Sequence, residues 1–164
     1  MSKQDFLYSF EISYQEAIDT INRSCSNSNG VSLSKEVHHK LGILIHSMMD
    51  LWGRIAPDNN NMLEEEKKIM QAFRFICNEL KHNKEYISIH KRVSSSTFPF
   101  SFPFRFGSNS YIEWKEADVK SNIKFENQRK AYQSMLAGKS VIATIQTARE
   151  IIEKYISGSR CDNF

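Results

Sequence analysis

Cysteine is scarce: Cys25, Cys77 and Cys161 are the only three in 164 residues, far apart and without a CxxC pair. That spacing argues against a disulfide scaffold or a zinc ribbon and fits a reducing, cytoplasmic setting. Long apolar runs are missing too. None approaches the roughly 20 residues of a membrane span, so no membrane partner is expected. Met1 to Phe10 carry Lys3 and Asp5 and hold neither an extended apolar stretch nor a small-residue cleavage site. An ordinary secretory signal is therefore not expected. Nor is charge of one sign in excess: 22 basic residues against 19 acidic leave +3, too little to mark a nucleic-acid binder. What remains is a folded balance, 40% hydrophobic and 25% charged, long enough for one domain over 1–164.

Helical periodicity dominates the chain. Leu7, Phe10, Tyr14, Ala17, Ile18 and Ile21 recur at steps of three and four, predicting an amphipathic helix over about 4–24. A polar run from Ser24 to Gly30 then favours a loop. The second helix is expected from Ser32 or Ser34, with the stripe Val37, Leu41, Leu44, Ile45, Met48, Trp52 and Ile55, and Pro57 stops it. Asn61 with Glu64 three residues on resembles a capping box, opening a third helix that runs to about His82. Ile69, Phe73, Ile76 and Leu80 are its inward residues. The last stretch, about 124–157, keeps helical spacing through Tyr132, Met135, Leu136, Ile142, Ile145, Ile152 and Ile156. Gly138 is expected to weaken or kink it.

One segment has a different period. From Phe98 to Phe106 the order Phe-Pro-Phe-Ser-Phe-Pro-Phe-Arg-Phe puts five phenylalanines on one side of an extended strand. Pro99 and Pro103 confine it to an edge. Tyr111 to Lys115 is expected as the returning strand, making an aromatic hairpin of about 94–118 that must pack on the helices. The fold expected is mainly α: a four-helix bundle with an inserted aromatic β-hairpin. Exposed instead, the same aromatics with Arg105 and Lys115 would stack on bases, but five phenylalanines on one face favour burial.

Two short patterns fail on chemistry. Gly138-Lys139-Ser140 resembles the end of a phosphate-binding loop, yet Gln133 stands where that loop needs its first glycine. His38, His39 and His46 suggest metal, but no carboxylate falls at the helical offset that would complete a ligand set, so no metal and no cofactor are expected. Glu64-Glu65-Glu66 and Lys67-Lys68 suit a helix start and its surface pairs.

The third helix carries the informative stripe. With Phe73 as zero, Ile69, Ile76 and Leu80 cluster within about 60°, while Arg74, Asn78 and His82 fall at about 100°, 140° and 180°. Gln71 and Phe75 lie beside that polar stripe. An aromatic opposite the core needs a second surface, so Phe75 and Gln71 are the expected interface of a two-fold homodimer.

Asn78-Glu79-Leu80-Lys81-His82 resembles the Asn-x-x-x-His part of the HEPN domain motif. The resemblance implies a compact helical bundle, commonly dimeric, and in many members a metal-independent ribonuclease of toxin–antitoxin, abortive-infection or CRISPR-linked systems. It further implies partners such as an antitoxin or another defence-system protein, and a bacterial or mobile-element stress or defence setting. Active members place an arginine directly before the asparagine; Cys77 stands there in this chain, and Arg74 is one turn earlier. The resemblance carries over Asn78 and His82; Arg74, outside the family's spacing but on the same stripe, completes the expected catalytic set of His82, Arg74 and Asn78. Cleaving RNA without metal needs a group to manage the 2′-hydroxyl proton and a cation for the phosphorane oxygens, roles that suit His82 and Arg74. The competing expectation is a non-catalytic, dimeric helical interaction module that kept the bundle without the arginine.

Overall fold

The computed structural model describes residues 3–26, 30–55, 61–80, 85–91, 110–117 and 125–158. Among these, five helices and two strands follow in the order α1 (Lys3–Ser26), α2 (Gly30–Ile55), α3 (Glu64–Leu80), β1 (Ile87–Lys91), β2 (Ser110–Trp114), α4 (Glu126–Met135) and α5 (Val141–Gly158). The protein is mainly helical, with one small antiparallel strand pair. No helix among the described residues is long and apolar enough to cross a membrane.

α1 and α2 form an antiparallel pair, joined by Ser13–Ser47 at 3.0 Å and by the ion pairs Lys40–Glu16 at 2.7 Å and Arg23–Glu36 at 2.9 Å. The stripes expected from spacing are the buried ones: Phe10, Tyr14, Ala17 and Ile21 on α1, and Val37 through Ile55 on α2. Burying such a stripe stabilises a helix that propensity alone would leave marginal. α3 lays Ile69, Phe73 and Ile76 into the same core. Its cap differs from the expectation. The helix opens after Leu63, not Asn61: the Leu63 carbonyl accepts from the Lys67 N–H at 3.0 Å, and the Leu63 N–H donates to the Glu66 carboxylate at 3.3 Å.

β2 matches the expected returning strand, and among the described residues its partner is β1, a strand the sequence reading did not single out, paired from Ile87 onward. Residues 92–109, including Phe98 to Phe106, lie outside the described residues. In the observed register Ile87 faces Trp114 and Ile89 faces Ile112, while Ser88 faces Glu113 and His90 faces Tyr111. One face of the pair is thus apolar and turned to the core, the other polar or aromatic at the surface.

The last helix is two helices. α4 ends at Met135, and residues 136–140 form a turn in which Gly138 has φ +70°, a left-handed conformation that glycine adopts without steric cost. The reason is tertiary. Trp114 donates its N–H to the Lys139 carbonyl at 3.1 Å, and the Gly138 N–H donates to the Trp114 carbonyl at 2.9 Å. The outer edge of β2 takes backbone groups that a continuous helix would have paired internally.

Candidate functional site

α3 positions the predicted site residues. Gln71 and Arg74 are exposed along its outer edge. Asn78 continues that edge one turn later, half-buried, where its amide donates to Gln128 Oε1 of α4 at 3.2 Å. Arg74 and Asn78 therefore share one polar edge, and Asn78 is held by the neighbouring helix. His82 lies outside the described residues, between Leu80 and Glu85.

Phe75 is a correction. It is 2% exposed and does not wait for a second subunit. Its ring lies against Tyr132 of α4 at 5.2 Å between centroids and against Tyr86 at 6.4 Å. Tyr86 donates its hydroxyl to Glu79 at 2.7 Å, and Tyr132 donates to the Lys115 carbonyl. Burial pushes the Tyr132 phenol well above its ordinary range. α3 therefore buries two sides, one against α2 and one against α4. A wheel centred on a single core stripe assigns the second buried side to solvent.

Cys77, directly before Asn78, is turned inward. Its sulfur lies 3.3 Å from His46 Nδ1 of α2. His46 in turn lines a surface groove of about 600 Å³ between α2, the end of α3 and the segment before β1. Lys35, His38, His39, Gly42 and Ile43 contribute from α2, Leu80 from α3, and Glu85 from the approach to β1. Burial lowers the His38 pKa, with Glu85 raising it and Lys115 lowering it as smaller influences. Glu85 is itself paired with Lys115 at 3.2 Å. Among the described residues no three His, Cys, Asp or Glu side chains are placed to hold a metal ion.

The histidines had been visible as residues but not as a groove. His39 and His46 sit two turns apart, a spacing that places them on one helix face. Their wall, Leu80 and Glu85, comes from distant sequence and carries no local signal. Comparison of the chain with protein-family models, with curated proteins and with solved structures finds no match.

Proposed function

We propose that this chain is a HEPN-like protein of a bacterial or mobile-element stress or defence system, working in the cytoplasm on RNA at the outer edge of α3. The observation that carries the reading is the pairing of an exposed Arg74 with an Asn78 held by Gln128 on one polar edge. A guanidinium in that place meets a phosphodiester with two parallel donors. Asn78, fixed by α4, keeps its amide oxygen and second N–H for positioning. His82, with a reference pKa near neutrality, manages the 2′-hydroxyl proton. A homodimer would bring a second Arg74 toward the same phosphate. Gln71, exposed beside Arg74, is its contact residue, since Phe75 is taken up inside the chain. An antitoxin or another defence-system protein is the expected regulator.

The test is cleavage of single-stranded RNA in EDTA. Products ending in 2′,3′-cyclic phosphate, lost in both Arg74→Ala and His82→Ala, support the nuclease. Because residues acting as one unit are not additive, the double variant should be little worse than either single one.

A second reading, a non-catalytic dimeric interaction module, is favoured by Cys77. The residue at the arginine position packs on His46 instead of meeting substrate. RNA binding without any cleavage supports this reading. The absence of both cleavage and RNA binding at low salt overturns the RNA assignment.

A further inference from the structure

The α2 groove is used by nothing above. We infer that it is a phosphate-binding site, with Lys35, His39 and His46 contacting phosphates along the backbone of a single-stranded RNA. The inference rests on the RNA reading and adds a second contact surface to it.

The stripe comes from helical arithmetic. Lys35, His39, Gly42 and His46 are four, three and four residues apart, so their side chains follow one face of α2. Gly42 keeps that face open. A Cβ there would meet no other heavy atom within 4 Å. Lys35, His39 and His46 are all exposed, and Leu80 and Glu85 close the far side.

His46 Nδ1 is engaged by the Cys77 sulfur at 3.3 Å, which leaves Nε2 as the ring nitrogen open to a ligand. His39 adds a second ring and Lys35 a permanent charge. The opposing carboxylate is Glu85, and Lys115 at 3.2 Å offsets it. His38, half-buried on the same wall, is biased toward its neutral form. An arriving oxyanion favours the protonated form of the rings it touches. Linkage fixes the sign: phosphate binds more tightly as pH falls through the histidine range.

The experiment uses the full chain and a fluorescently labelled single-stranded RNA, with anisotropy read at fixed low salt. Wild type should bind about tenfold more tightly near pH 6 than near pH 8, the gain from one proton taken up on binding across part of that range. Lys35→Gln, His39→Gln and His46→Gln should each weaken binding at low pH, and the triple variant should lose most of the pH dependence. All three side chains are exposed, so melting temperatures serve as the folding control. Inorganic phosphate is the second probe. Titrated against the histidine ring resonances, it should raise the apparent pKa of His39 and His46, assigned through the same variants.

RNA bound equally by wild type and triple variant, with the same pH dependence, overturns the groove and leaves the RNA reading standing. Phosphate shifts without RNA binding keep the groove as a site for free phosphate and overturn the RNA reading. Unmoved histidine resonances together with unchanged RNA binding remove the site altogether.

Discussion

The Phe75 ring meets the Tyr132 ring across the α3–α4 seam at 5.2 Å, inclined by 38°. Tyr86 stands edge-on to both, 6.4 Å from Phe75 and 6.1 Å from Tyr132. This cluster joins α3, α4 and the approach to β1 into one interior. Truncation leaves a cavity that rigid helices cannot collapse. Phe75→Ala should therefore lose about 3–5 kcal/mol in urea unfolding. Phe75→Asp should unfold the chain, not dissociate a folded dimer. A soluble, folded Phe75→Asp monomer with native melting temperature would contradict this packing.

Trp114 is 2% exposed, and its indole N–H donates to Thr144 Oγ1 at 2.7 Å. This bond ties β2 to the first turns of α5. Thr144→Val keeps the shape and removes the acceptor, leaving a buried donor unsatisfied. The expected loss is about 1–3 kcal/mol, measured by chemical denaturation. Thr144→Ser should restore most of it. Equal stability in the valine variant would mean that the indole finds water.

Gly138 and Gly53 make opposite predictions from similarly open surroundings. A Cβ at either position meets nothing within 4 Å, so backbone conformation alone decides. At Gly138, φ +70° makes alanine strained, and Gly138→Ala should cost about 1 kcal/mol. Gly53 sits inside α2, where alanine is the better helix former, so Gly53→Ala should stabilise by about 0.5–1 kcal/mol. Calorimetric melting of the two variants distinguishes the signs.

Glu66 predicts the acid side of the stability profile. Burial pushes its carboxyl up, but hydrogen bonds from Lys154 at 2.7 Å, Tyr155 at 2.6 Å and the Leu63 N–H at 3.3 Å outweigh that and hold it below 4.5. A carboxyl lowered by folding contributes stability above its unfolded value and loses it as pH falls through the folded one. Wild type should therefore weaken on acidification from about pH 5 downward, near the ordinary carboxylate range. Glu66→Gln should be less stable at neutral pH, by about 1–2 kcal/mol for a lost charged hydrogen-bond set, and flatter toward acid. Melting temperature against pH for both proteins reads the difference; an unchanged slope would count against Glu66.

Local order was readable from residue spacing. α1, α2 and α3 follow from runs such as Val37, Leu41, Leu44 and Met48, because one turn of helix repeats every 3.6 residues whatever packs against it. β2 was legible for the matching reason, alternation over Tyr111 to Trp114. The shared polar edge of Arg74 and Asn78 was legible too, since side-chain direction on a helix is set by its own backbone.

What covers each face is a different question, and only the tertiary structure decided it. The short run from Tyr86 to His90 alternates as a strand should, yet it lies just past a helix, beside a far stronger alternating signal at Phe98 to Phe106. Nothing local says that Ile87 pairs with Trp114. The break between α4 and α5 likewise depends on the β2 edge binding residues 138 and 139. Phe75 was assigned outward because periodicity reports one buried direction, and α3 has two. The Cys77–His46 contact joins residues 31 apart in sequence, and the groove behind it needs Leu80 and Glu85 as well. Sequence by itself determined which elements form and which way their side chains point, because those depend on neighbours within a turn or two. Partners, breaks and cavities arise where distant segments compete for the same apolar surface and hydrogen bonds, and only the folded chain resolves that competition.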